Sequence, residues 1–533
     1  MNRAASLPGE RGLSARQAVI VWLALVGAAL LLHMTPPYAQ LEGAVLDAQF
    51  RALRTLAPKP ARADVVILGI DEATLAATRE PLALWHRPLA LLLDGLRLAQ
   101  PRGVGLDMQL PDRSYDALQP GIDRELYMAL SSAARAFPLT AVLGIDATGA
   151  PHTIHPPFLA ALGDAGVGLA TWLLDPDGTP RRFDERQGEG GAVVPTLAGT
   201  LARRLGATPG AGLIDYAAGP AFEYVPAKDA MQWARAGDAA ALARAFGGRV
   251  VMIGSVLPFD DRHRLPVPLA AWEDALTAPG VVIHAQALRS LLGAGLVREA
   301  PGAAVVALLA AACALWFAGA RSPAGIALFA AFAFGAVAGS TVLLFHRMHV
   351  PVGTAVLAAA SSLALRIAYE AWFNRRLRQR LRQAFAGAVS PAVLDLIMRG
   401  QLDGALGSGR RQVAVMFGDI RGFTPMTEAR PPEEVVALLN RYFTRVTAAV
   451  HGHNGTIDNF RGDGIMCVFG APKASTDPCR DGFSAAQDIL DAIVELNAEL
   501  EAEGRAPIRI GLSLAYGEAV VGRIGSPDRN EYT

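Results

Sequence analysis

Four apolar runs constrain this chain more than any other feature: "QAVIVWLALVGAALLLHM" (17–34), "GAAVVALLAAACALWFAG" (302–319), "AGIALFAAFAFGAVAGSTVLLF" (324–345) and "VPVGTAVLAAASSLALRIAY" (350–369). Each is close to the length a helix needs to cross a bilayer, so the sequence predicts a multidomain membrane protein with four transmembrane helices. Arg3, Arg11 and Arg16 precede the first run, Arg321 lies between the second and third, and "NRRLRQRLRQ" (374–383) follows the fourth. Basic flanks stay in the cytoplasm. Residues 1–16 and both termini are therefore expected inside, and 41–300 outside the cell (inner) membrane. A cleaved signal peptide is the alternative for the first run; an uncleaved anchor is preferred because no convincing A-x-A site follows. A transporter fits less well, since Arg366 and Glu370 lie near a membrane end and the spans carry no buried charges of the transport type.

The formal net charge is zero, and no basic stretch is interleaved with aromatics. This argues against nucleic acid as a partner. Cys313, Cys467 and Cys479 are the three cysteines, with neither metal-type spacing nor a disulfide framework. Residues 41–300 have none and must be held by their core.

Within 41–300, "ADVVILGIDEATL", "PRGVGLDMQLPD" and "GGRVVMIGS" read as buried strands running into turns, and "RPLALLLDGLRLA" reads as an amphipathic helix between the first two. The order predicts an α/β domain with a mainly parallel sheet. Asp71 and Asp107 are expected at strand ends, on the rim where such sheets bind ligands; capping of the following helices is the preferred role. In order, "GAVLDAQFRAL", "VVILGIDEATL", "WHRPLALLLDGL", "GVGLDMQL", "VVMIGS" and "PGVVIHAQALRSLL", with three runs behind them, resemble the extracytoplasmic sensor domains called CHASE, of the second type. That resemblance implies an unknown extracytoplasmic signal. "DDRHR" (260–264) reads first as a solvated turn and second as a sensing loop.

Segment 370–410 is expected to couple the membrane to the last domain. Phe373, Leu377, Leu381 and Phe385 recur every four residues among arginines, which predicts a helix with one apolar stripe and a second copy of itself as the simplest partner. The arginines are expected to snorkel. "AVSPAVLDLIMRGQ" (388–401) reads as a further helix capped by Ser390, with Pro391 at its first position, and "GALGSGRR" (404–411) as a glycine-rich junction.

"RQVAVMFGDIRGFTPMT" (411–427) delivers Asp419 at a strand end, and "TIDNFRGDGIMCVFG" sets Asp463 in a turn between two strands. Alone, Asp463 reads as a hairpin residue. A hairpin packed beside the first strand would bring both acids to one rim, where two carboxylates suit magnesium or manganese ions that also bind phosphate oxygens. "EARPPEEVVALLNRYF" predicts a helix starting near Pro432, with Leu438, Leu439 and Tyr442 inward. His451 and His453 read as exposed rather than ligating.

"VMFGDIRGFT", "NGTIDNFRGDGIMCVFG" and "GLSLAYGEAVVGRIGSPDRNEYT" together resemble the class III adenylate and guanylate cyclases over 411–533. The resemblance implies a cytoplasmic α+β ferredoxin-like domain, a head-to-tail homodimer, and conversion of ATP or GTP to a 3′,5′-cyclic nucleotide with two magnesium or manganese ions. It places the metals on Asp419, Asp463 and the Ile420 carbonyl, and the triphosphate on the loop holding Gly422, Phe423 and Thr424. Asn459 stands where adenylate-forming relatives commonly have a purine-reading Lys, which leaves the purine open. Thr533 matches the partner purine position and favours the adenylate branch. The transition-state Asn and Arg fall beyond Thr533, so no catalytic residue is assignable, the domain is expected to be C-terminally incomplete, and the chain as given is expected to have little or no activity. Arg529 reads as a surface residue or a phosphate contact. The expectation is a sensor-regulated adenylate cyclase; the alternatives are a guanylate cyclase, or a catalytically inactive nucleotide-binding or dimerisation module.

Overall fold

The computed structural model describes residues 14–78, 80–145, 151–186, 193–318, 323–385, 409–472, 474–526 and 529–532. Arg3, Arg11, Arg321, the helix expected over 388–401 with Ser390 and Pro391, and Thr533 lie outside them. Contacts divide the chain into two units, residues 1–368 and 369–533.

The first unit begins with α1 (Ala15–His33), opened by a capping box in which Ser14 and Gln17 bond each other's backbone N–H. Pro36 starts α2 (Pro36–Leu56), which buries Leu46, Phe50 and Leu53. Six short strands follow: β1 (Val65–Ile70), β2 (Gly103–Asp107), β3 (Leu139–Leu143), β4 (Val167–Leu169), β5 (Tyr224–Pro226) and β6 (Val250–Ser255). They form one sheet in the order β4-β3-β2-β6-β1-β5, every neighbouring pair parallel. Central strands this apolar need cover on both faces. Helices α3 (His86–Ala99) and α4 (Ile122–Ala136) pack on Leu68, Val104, Leu106, Val251 and Ile253. On the other face α2, α5 (Leu197–Arg204) and α6 (Gly280–Leu292) meet Val65, Ile67, Val250 and Met252. The α/β reading of 41–300 is thus what forms.

Among the described residues three helices are long and apolar enough to cross a membrane: α1, Pro323–Phe345 and Gly353–Arg380. The expected second span, 302–319, differs. Its α-helix, α7 (Gly302–Cys313), has 12 residues before the chain tightens into a 3-10 turn at Ala314–Ala318. The α-helical part rises about 18 Å at 1.5 Å per residue and the 3-10 turn about 10 Å more at 2.0 Å per residue, against a hydrocarbon layer of about 30 Å, so the run is a shorter apolar helix than the other three. Ala29 of α1 packs with Leu309, Ala312, Cys313, Ala355 and Ala359, small residues that let helices approach closely. After α8 (Pro323–Phe345), α9 runs unbroken from Gly353 to Phe385, so the fourth span and the Phe373-to-Phe385 stripe are one helix. Phe373 and Leu377 are half-buried within it.

The second unit has the order β7 (Gly409–Ile420), α10 (Pro432–Gly452), β8 (Thr456–Arg461), β9 (Gly464–Phe469), α11 (Pro478–Ala502), β10 (Ile510–Val521). Its antiparallel sheet, β8-β9-β7-β10, has the expected βαββαβ topology. Alternation along β7 buries Ala414, Met416 and Ile420 against Leu438, Tyr442, Val446, Ile489 and Leu496 of the two helices. Leu439 packs on this core half-buried. On the other face Val413, Val468, Ala471 and Val521 form a small buried cluster, and Phe417 is 52% exposed.

Candidate functional site

Period-2 alternation puts Asp419 on the open face at the end of β7, one residue before buried Ile420. The β8–β9 hairpin pairs antiparallel with β7, Ile465 opposite Gly418. That register returns the hairpin turn to the end of β7, and the Ile420 backbone N–H donates to Asp463 Oδ2 at 3.2 Å. The two acids therefore share one rim. Burial raises the Asp463 carboxyl above its ordinary value, and the adjacent Asp419 carboxyl raises it further; the N–H groups of Asp463 itself and of Ile420 act the other way. Among the described residues neither acid has an ion-pair partner, and no group of three or more His, Cys, Asp or Glu is poised to hold a metal.. The site offers two hard carboxylates and main-chain oxygens, which want a cation.

Past β7 the chain turns at Gly422, whose φ of 70° is the left-handed conformation glycine tolerates best. Phe423 anchors the following short helix, Phe423–Glu428, on the core, and Thr424 is exposed. Asn459 sits in β8 beside an irregularity where the pairing jumps from Ile457 to Asn459. Its Oδ1 is buried with no hydrogen-bond partner among the described residues. Phe460 lies against Phe443, ring centroids 4.3 Å apart. His453 bonds Asp488 at 2.7 Å, and His451 is half-buried with its pKa lowered by burial; neither nears a metal cluster.

In the first unit, Asp71 caps a helix: its Oδ1 accepts the N–H and hydroxyl of Thr74 at 2.7 and 2.6 Å. Asp107 does not cap. It ends β2 with the buried His284 Nε2 at 3.7 Å, and burial, then Asp261 and Asp260, push its carboxyl up to about 7, opposed by His263. The "DDRHR" segment is more than a solvated turn: Arg262–Arg264 pairs with Thr277–Pro279, and His263 bonds Asp261 at 2.9 Å.

Sequence reasoning missed the polar face of α2. Its Asp47 takes two hydrogen bonds from the buried Arg181, which also binds Asp175 and Asp177. Gly43 permits this, because a Cβ there would lie 2.9 Å from Arg181 Nη1. Glu42 accepts the N–H groups of Gly353 and Thr354 at the start of α9. An acid at every fifth residue of an otherwise apolar helical stretch, "LEGAVLDAQF", was the available signal.

Residues 20–324 match the CHASE2 domain family, and residues 408–533 match the adenylate and guanylate cyclase catalytic domain. The chain is similar to an uncharacterised protein of Mycobacterium tuberculosis, 36% identical over 166 residues, which are 30% of this chain and 28% of the relative. It is also similar to adenylate cyclase 1 of Rhizobium meliloti, 34% identical over 142 residues, 26% of this chain and 21% of the relative. The chain thus spans less than a third of the length of these curated relatives. Among solved structures, a guanylyl cyclase is 38% identical, covering 24% of this chain and 64% of that one at a TM-score of 0.23. With its N-terminal α/β sheet matched by one family and its βαββαβ domain by the other, the chain belongs to the CHASE2-domain proteins and carries a class III adenylate and guanylate cyclase catalytic domain.

Proposed function

We propose that this protein is a membrane-bound adenylate cyclase, forming 3′,5′-cyclic AMP and pyrophosphate from ATP under control of a signal read outside the cytoplasm. The observation that carries the reading is the meeting of Asp419 and Asp463 on one rim, with the Ile420 N–H bonded to Asp463. Two neighbouring acids, of which Asp463 is raised by burial and by Asp419, without an ion-pair partner among the described residues, fit a site for divalent cations. Asp419, Asp463 and the Ile420 carbonyl would hold magnesium or manganese. Such ions, when bound, assist deprotonation of the ribose 3′-hydroxyl and neutralise charge on the leaving pyrophosphate.

The chain's own groups supply the rest. Gly422, Phe423 and Thr424 would bring backbone N–H groups to the triphosphate, the glycine allowing close approach. Asn459 Oδ1, buried and without a partner among the described residues, would accept from the adenine 6-amino group. Phe417, exposed on the sheet face turned away from the two helices, supports a homodimer as an apolar contact for a partner surface.

The test is formation of cyclic AMP and cyclic GMP from equal ATP and GTP, with manganese, by membranes carrying the full reading frame. Cyclic AMP is expected to dominate, and Asp419→Ala or Asp463→Ala to lower it at least 100-fold, roughly the loss of a main charge-stabilising element. A predominance of cyclic GMP would move the reading to the guanylate branch. Manganese-dependent ATP binding without either product would make the domain a nucleotide-binding module.

A further inference from the structure

The break between α1 and α2, the paired strands Arg298–Glu299 and Met348–His349, and the start of α9 surround a cavity of about 390 Å³. Small-molecule pockets run from roughly 300 to 1,000 Å³. Its walls include Glu42, Asp175, Arg181, Arg182, Glu299 and His349, none of which the cyclase chemistry uses.

Counting donors and acceptors decides what such a cavity can take. A guanidinium has five N–H groups, and Arg181 makes five hydrogen bonds: two to Asp47, two to Asp177 and one to Asp175, at 2.6 to 2.9 Å. Arg182 gives Nε to Asp175 at 3.1 Å and Nη1 to Glu299. Arg181 therefore has no donor left for an anion, whereas Arg182, half exposed, keeps its Nη2 group. Acceptors remain, because each carboxylate oxygen has two lone pairs and Glu42 Oε2 takes one bond, from the Gly353 N–H at 3.1 Å.

His349 supplies an independent sign of a ligand. It is 8% exposed, lines the cavity, and its Nδ1 has no hydrogen-bond partner among the described residues. Burial lowers its pKa against the charges of Glu42, Glu299 and Asp175, with Arg182 lowering it further. The ring is thus neutral near pH 7, and Nε2, the ring nitrogen not sealed from the cavity, accepts when the proton sits on Nδ1.

We propose that this cavity binds a primary ammonium group through Glu42, Glu299 and His349. The proposal deepens the sensor reading and rests on it for its consequence. Glu42 also accepts the Thr354 N–H and hydroxyl at 2.6 and 2.5 Å, so it caps α9, the helix that on this reading leads into the cytoplasm. A bound ammonium shares the Glu42 carboxylate and loosens that cap. Two sources carry the group: a free amine, or the headgroup of phosphatidylethanolamine reaching in beside His33 at the end of α1.

The experiment melts the full chain in phosphatidylcholine nanodiscs while ethanolamine is added, with choline, which has no N–H, at matched ionic strength. Ethanolamine is expected to raise the melting temperature saturably and choline to leave it unchanged. Glu299→Gln and His349→Phe are each expected to raise the ethanolamine midpoint tenfold or more. If the headgroup is the occupant, discs with phosphatidylethanolamine show the rise without added amine; if a free amine is, they behave as phosphatidylcholine discs do. No rise in either lipid, an equal rise with choline, or unchanged midpoints in both variants would overturn the proposal. No cyclic nucleotide is measured, so failure here leaves the cyclase reading standing, and failure of that reading leaves binding standing.

Discussion

Arg181 and the Asp419–Asp463 pair are charged clusters that the fold treats in opposite ways. Arg181 is 1% exposed, and every donor it has ends on one of three aspartates, themselves largely shielded. Asp419 and Asp463 stand at an accessible rim with no ion-pair partner among the described residues, and Asp419 raises the cost of charging Asp463. The first arrangement ties α2 to the 175–181 loop and is complete. The second is left incomplete by the protein itself, and that incompleteness is what a cation-dependent site requires.

Removing the completing charge should break the first cluster most severely. Arg181→Met leaves three aspartates facing one another and is expected to destabilise the first unit by about 3–5 kcal/mol, as for a broken buried ion pair. Arg182→Met, at a side chain 49% exposed, should cost less than about 1 kcal/mol. Denaturant unfolding of the full chain in detergent, followed by tryptophan fluorescence, separates the two. Equal losses would mean that burial of Arg181 is not what makes its network matter.

How far the sequence disclosed this contrast depends on whether a signal was local. The strand-to-turn passages put Asp71, Asp107, Asp419 and Asp463 at strand ends or turns, where they are found. Periodicity also gave the α10 core positions Leu438 and Tyr442. Arg181 and Asp47 are 134 residues apart, and no pattern of period 2 or 3.6 connects them; their pairing exists only after α2 docks. His284 was hidden for the same reason, inside an apolar run that reads as plain core. In the 302–319 run, composition does not record where an α-helix tightens into a 3-10 turn, as at Ala314.

An intermediate case is Asp107 with His284, a buried pair that is neither saturated nor open. The Asp107 carboxyl rises from 3.8 to about 7, so its contribution to stability is full below pH 3.8 and lost as pH rises through about 7. His284 falls from 6.5 to about 3, through burial first, Asp261 opposing and His263 adding, so its contribution is full above pH 6.5 and lost as pH falls through about 3. Between those values the two slopes oppose, each up to about 1.4 kcal/mol per pH unit. Asp107→Asn should leave a first unit that weakens as pH falls below 6.5. His284→Gln should leave one that weakens as pH rises from 4 to 7. Unfolding midpoints across that range would show two opposite slopes; parallel curves would mean that the pair does not titrate on folding.

The smallest expected effect sharpens the comparison most. Asp463 titrates above its ordinary value in the folded chain, so it detracts from stability at pH 7 and stops doing so once pH falls below the unfolded value. Asp463→Asn removes that charge while the amide oxygen still accepts the Ile420 N–H. The second unit should therefore gain about 0.2–1 kcal/mol at pH 7, the scale of exposed charge pairs, and gain nothing at pH 3. The same change removes a carboxylate from the proposed cation site, so cyclic nucleotide formation should fall as stability rises. Opposite movement of the two quantities is what a site held at a cost to the fold produces. A loss of both would instead place Asp463 with Arg181, among charges that serve the fold.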